Sequence, residues 1–203
     1  MELKIHYAQA KDLKYIDYLQ KKNAEDLSFY PIGVLEREVQ AKRILLALVN
    51  NTHAGYLYHG SLRHGHVVKI HQACIQYDLR GNWYGAGLFN QLEKNCLNLL
   101  CKSISLRCGS DIAANKFWSL MGFNCVDVQK GGVRRMRDIN IWYKELYKDL
   151  LSSQEQFVTP STKKKDASIW QKRDKTLKQS SMKRGKSLID YRKTVIKNSK
   201  SCK

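Results

Sequence analysis

Between residues 80 and 87 the chain reads Arg-Gly-Asn-Trp-Tyr-Gly-Ala-Gly, which places three of its 12 glycines within seven residues. The stretch from Leu88 onward has helical periodicity, with Leu88, Phe89, Leu92, Cys96 and Leu99 on one face and Gln91, Glu93, Lys94 and Asn98 on the other. The first amides of a helix have no partner within it and sit at the positive end of its dipole. A chain entering a helix here therefore offers an anion site. Glycines let phosphate oxygens approach the backbone closely, and Arg80 can add a charge-assisted hydrogen bond. The spacing fits neither common nucleotide loop: Gly87 is followed by Leu88 rather than by Lys and a hydroxyl residue, and no GxGxxG is present. The plainer alternative is that the glycines serve a tight turn and close helix packing.

The elements that must carry this loop alternate along the first 150 residues. A short strand at "LKIHYA" precedes a helix over 11–27, with Leu13, Ile16 and Leu19 at helical spacing. Pro31 interrupts. A second helix over 32–43 leads into a buried strand at "ILLALVNN". Strands over 54–62 and 66–78 flank "RHGH", where Gly65 supplies the positive φ of a tight turn. Beyond the helix over 84–100 come a strand at "SISLRC" and a helix in "DIAANKFWSLMGF". Ser110 or Asp111 would cap that helix and Gly122 would close it. Strands around "CVDVQ" and "RRMRDINIWYKEL" complete an α/β or α+β sheet protein.

Composition bounds the setting. A chain of 203 residues, 43% hydrophobic, can bury one substantial core plus an appendage. No apolar run approaches the ~18 residues needed to cross a bilayer, and the N-terminus lacks the apolar core of a secretory signal. No membrane partner and a cytoplasmic location are expected. The six cysteines include no CxxC pair, so they read as mostly reduced core residues. His59, His64 and His66 flank a turn without nearby carboxylates or cysteines, and no metal site is expected.

The net charge of +18 is unevenly spread, with +11 on residues 151–203 and +7 on residues 1–150. Residues 151–203 are rich in Lys, Ser, Gln and Thr, with too few apolar residues to repay the entropy of folding. A basic, flexible tail is expected there. It is able to bind nucleic acid through sequence-blind, salt-sensitive phosphate contacts, or to act only as a solvated extension.

"RGNWYGAGLFNQL" resembles the R/Q-x-x-G-x-G/A acyl-CoA loop of the GNAT superfamily of N-acetyltransferases. Arg80 matches its first position and Gly85 its second glycine; Trp83 stands in place of the first glycine, with Gly81 nearby. "DIAANKFWSLMGF" is similar to a second signature, N-x-x-A-x-x-F-Y-x-x-x-G-F, with Ala114, Phe117, Gly122 and Phe123 in register. Asp111 replaces its Asn and Trp118 its Tyr. The resemblance covers about residues 1–150 and implies a GNAT-like domain with a mixed, mostly antiparallel sheet flanked by helices. It implies acetyl-CoA as co-substrate, lying where two strands splay. The backbone of Ile75 and Tyr77 would bind the pantetheine arm. Arg80, Gly81, Asn82, Trp83, Tyr84, Gly85 and Ala86 would wrap the pyrophosphate, with Asp111 in the second signature. Asn115 and Lys116 would reach the adenosine end.

Transfer from a thioester requires a neutral amine, and a free amine with a pKa near ~10 is mostly protonated at neutral pH. A general base is therefore wanted, and His71, on the strand before the loop, is the candidate; its alternative is a packed or solvated histidine. Gln72 should face the opposite way. Trp118 has an N–H donor but cannot deliver a proton, and reads equally as a core residue. Tyr143 is a further donor. Arg134, Arg135 and Arg137 read as solvated charge or as the lining of a cleft for an acidic acceptor. Three readings stand: an N-acetyltransferase acting on an unidentified amine, an acyl-CoA-binding protein without turnover, and a module docking on nucleic acid through its tail. Oligomeric state is open, a homodimer included.

Overall fold

A computed structural model of the chain describes residues 2–132 and 136–147. The readings for residues 151–203, Arg134 and Arg135 lie outside the described residues. Seven strands form one sheet: β1 (Leu3–Tyr7), β2 (Ile44–Val49), β3 (Thr52–His59), β4 (Val67–Ile75), β5 (Ser103–Gly109), β6 (Asn124–Lys130) and β7 (Asp138–Glu145). Their spatial order is β1-β2-β3-β4-β5-β7-β6. All neighbours run antiparallel except β4 and β5, which are parallel. The parallel pair is possible because α3 (Tyr84–Asn98) makes the crossover between those strands. The sheet is thus mixed and mostly antiparallel.

Helices cover both faces. α1 (Leu13–Lys22) and α2 (Ile32–Gln40) lie on one, α3 and α4 (Ala114–Leu120) on the other. Strand alternation sends each face of β2 into a different core: Leu45, Ala47 and Val49 pack with the α3 residues Leu88, Phe89 and Leu92, while Ile44 and Leu46 pack with Ile16, Leu19 and Leu35. Leu92 is fully buried, so its truncation to Ala would cost about 2–5 kcal/mol. Among the described residues no helix is long and apolar enough to cross a membrane.

Several expected boundaries move. α1 ends at Lys22 because Asn23 turns the chain, its side-chain amide donating to Leu19 O at 2.8 Å. Asn50 and Asn51 leave the β2 strand and take positive φ (48° and 64°) in a two-residue hairpin turn, a signal the long apolar run obscured. β4 stops at Ile75, three residues early, and β7 starts at Asp138. α4 begins at Ala114 with no side-chain cap. Asp111 instead faces Arg137, and the Ser110 amide donates to Asp138 O. Gly65 and Gly122 do take the expected positive φ, at 71° and 81°.

Candidate active site

The parallel pairing of β4 with β5 runs only from Val67↔Ser103 to Ile70↔Leu106. Beyond it the strands separate, and among the described residues the 71–75 edge of β4 has no strand partner on that side. A bulge coincides with the split: Tyr58 pairs Gln72 but His59 pairs Ile70, leaving His71 as the extra residue. The bulge reverses alternation, so Val68 and Ile70 face α3 while Gln72 and Cys74 face the α1–α2 side. The opening is a cleft of about 520 Å³.

The glycine loop forms the cleft's outer wall. After a short 3-10 turn at Tyr77–Leu79 the chain passes Gly81 (φ 82°) and Trp83 (φ 62°) and enters α3, whose early bonds include one from the Gly87 amide to Trp83 O. The backbone at Trp83 is thus left-handed, as a glycine would favour. The indole is 64% exposed on the rim and leaves the cleft open. Gly85 looks inward: a Cβ there would lie 3.5 Å from the Phe117 ring and 3.6 Å from Ile75 Cγ1. Arg80 spans the entrance. Its Nε donates to Ile75 O (3.1 Å), its Nη2 to Asn23 Oδ1 (2.6 Å), and its guanidinium lies 5.3 Å from the Tyr77 ring centroid. Asn82 bonds back to Leu79 O and Arg80 O, bracing the loop, while Tyr84 and Ala86 are buried in the first turn of α3.

His71 lines the cleft, its ring stacked on Tyr58 (4.6 Å) and edge-on to Tyr30 (6.3 Å). Burial, reinforced by Lys69, holds its pKa below the usual histidine value, with Glu38 opposing. The imidazole is therefore neutral at neutral pH and able to accept a proton. Gln72 does not face the opposite way as expected, because the bulge turns both side chains to the α1–α2 side. It accepts from Tyr56 Oη (3.0 Å) and donates to Ser28 O. Gln20, on α1, bonds both the carbonyl and the amide of Tyr30 (2.7 and 3.1 Å). These two buried amides hold the α1–α2 connection against β4.

Other expected residues fall elsewhere. Tyr77 is in the 3-10 turn and 70% exposed, so it is not part of the strand. Asn115 is committed to the fold: its amide donates to Gly109 O and Ile112 O, and its Oδ1 accepts from Asn140 and Trp142. Lys116 is exposed and Asp111 is paired with Arg137, and neither lines the cleft. Trp118 does line it, buried within an aromatic cluster with Phe89, Phe117 and Phe123. Tyr143 pairs with Ser105 two strands from β4, away from the lining.

The sequence did not single out Asn23, Asp26, Ser28, Arg107 or Cys108, all of which line the cleft. Their only signal is position, just past a helix end or at a strand end. Burial pushes the Cys74 and Cys108 thiols up to about 11, so neither offers a thiolate nucleophile.

No protein-family model matches the chain, and no curated protein matches it. Solved structures do. Ard1 from Thermoplasma volcanium is similar with a TM-score of 0.61 at 15% identity, covering 70% of this chain and 97% of its own. Arabidopsis thaliana NAA60 in complex with a bisubstrate analogue gives 0.64 at 14%, covering 71% and 98%. Arabidopsis thaliana Naa50 in complex with the bisubstrate analogue CoA-Ac-MVNAL gives 0.60 at 20%, covering 71% and 99%. With a split parallel pair inside a seven-stranded mixed sheet, and with acetyltransferases as its structural neighbours, the chain has the GNAT acyl-CoA N-acyltransferase fold.

Proposed function

We propose that the protein is an acetyl-CoA-dependent N-acetyltransferase acting on a primary amine. The observation that carries this reading is the coincidence, in one cleft, of the β4–β5 split, the bulged His71 and the glycine loop at the start of α3. Three features of the cleft support the co-substrate: it is about 520 Å³, its wall is stripped of a Cβ at Gly85, and Arg80 reaches its mouth.

Acetyl-CoA would bring an activated thioester, whose thiolate leaves readily at a pKa around 8.5. Arg80 and the loop amides from Gly81 to Ala86 would hold its phosphates. The unpaired edge of β4 up to Ile75 would accept the arm as an added strand, although Ile75 O already receives Arg80. His71 would take the proton of the incoming amine, and its lowered pKa keeps it neutral for that task. Trp118 would pack beside the arm without supplying a proton. Burial holds the Cys74 and Cys108 thiols of the cleft protonated, which supports direct transfer from thioester to amine rather than through a cysteine.

Mass spectrometry of amines and peptides with free N-termini, incubated with the protein and acetyl-CoA, tests the reading. Protein-dependent gain of an acetyl group on any acceptor supports it. Binding of acetyl-CoA with no transfer across a broad panel would leave a binding protein instead.

A further inference from the structure

The acceptor must enter from the face the co-substrate leaves open. The glycine loop and α3 lie on one side of the split, so the amine arrives on the α1–α2 side. Residues of β5 whose neighbours join the α3 core point there: Leu106 and Cys108 belong to that core, which turns Ser105, Arg107 and Gly109 to the acceptor side. Arg107 is exposed, lines the cleft and, among the described residues, has no acidic partner.

Gly109, two residues further and about 7 Å along the strand, leaves room for a second guanidinium. A Cβ there would lie 2.8 Å from Arg137 Cδ, 2.9 Å from Asp111 Oδ1 and 3.1 Å from Arg137 Nη1. Arg137 is drawn inward, its side chain 18% exposed. Its Nη2 donates to Glu25 O (3.1 Å), and Asp111 Oδ1 lies 3.4 Å from its Nη1. Among the described residues, its buried Nε and Nη1 have no hydrogen-bond partner. Lys69 lies diagonally across on β4, opposite Ser105. The acids near these two guanidiniums include Glu25 and Asp26 on the α1–α2 connection, Asp111 on Arg137, and Glu38, which is paired with Arg43. Arg107, with no acidic partner among the described residues, and Arg137, whose Nε lacks a hydrogen-bond partner there and whose Nη1 has only the long Asp111 contact, together offer donors to a further anion.

We infer that Arg107 and Arg137 form an acceptor-side carboxylate site, so that the amine acetylated belongs to a molecule carrying a carboxylate beside that amine. The inference rests on the acetyltransferase reading for the cleft's polarity, but its own readout is binding. The test uses the full chain in excess coenzyme A and two short peptides with free N-termini, labelled at the C-terminus, with Glu or Gln at the second position. Fluorescence anisotropy should show the Glu peptide binding about tenfold tighter. In Arg107→Gln and Arg137→Lys, checked for an unchanged melt, the ratio should fall below about threefold. It should persist in Lys94→Gln, which removes the same charge from the exposed face of α3.

Free glutamate competing better than glutamine would assign the site to small amino acids, and competition by the Glu peptide alone would assign it to peptides; both support it. Equal binding of the two peptides, or a ratio untouched in Arg107→Gln, would overturn it and leave only general attraction to the +18 chain. Acetylation scored on the same samples separates the two ideas: equal transfer to both peptides sinks the carboxylate site alone, whereas absent transfer with Arg107-dependent binding sinks the enzyme reading alone.

Discussion

The cleft has two walls built in different ways. The wall proposed to hold the phosphates is one stretch of backbone, residues 80–87, whose glycines and helix start are contiguous in sequence. The wall proposed to face the acceptor is assembled from the α1–α2 connection, the bulge of β4 and the end of β5, held by Gln20 and Gln72, with Arg137 bonded to Glu25 O behind it. On that proposal the first depends on main-chain amides, which nearly any residue supplies, so its side chains can vary where φ permits. The second depends on side chains brought together over long separations, and single substitutions should change what it accepts.

The largest effect that would sharpen this contrast is on chemistry. His71→Ala should lower kcat by about a hundredfold or more while leaving acetyl-CoA affinity nearly unchanged. A loss confined to affinity would move His71 out of the acceptor wall. On the phosphate side, Gly85→Val should close space against Phe117 and Ile75 and weaken acetyl-CoA binding by about ten- to a hundredfold.

Removing the amide tie with Gln20→Leu should cost about 1–3 kcal/mol of stability, since Tyr30 loses both bonds, and should raise the acceptor KM more than that for acetyl-CoA. Denaturant midpoints and initial rates read both. Acid should also destabilise the fold. Burial lowers the pKa of His59 and of His71 in the native state, so below about pH 6.5 the unfolded chain binds more protons and stability falls as pH drops. A midpoint that rises on acidification through that window would contradict the burial of these rings. The smallest effect is at Trp83: replacing this exposed left-handed residue by Gly should raise stability by about 1 kcal/mol and leave the phosphate wall working.

Legibility followed the same division. The glycine loop, the helix behind it and the strand carrying His71 could be read because each is a local pattern. The Tyr77 assignment failed because a 3-10 turn ends the strand at Ile75, and no local signal separates those residues. Gln72 was misplaced because a bulge at His71 depends on the register of β3 against β4. Asn115 looked available but is bonded to β7 through Asn140 and Trp142, 25 and 27 residues away. Asp111, expected as a helix cap, is turned to Arg137 by the same long-range packing. Arg107 sits in an ordinary strand pattern, and only the loss of β4 pairing beyond Ile70 puts it on a cleft.

Calorimetric titration of the protein with acetyl-CoA, in parallel with Arg80→Ala, bears most directly on the phosphate wall. One molecule should bind per chain, and the variant should bind about ten- to a hundredfold more weakly, the loss of a charge-assisted contact. Absence of binding, or equal affinity in both proteins, would show that the loop ahead of α3 holds no phosphate.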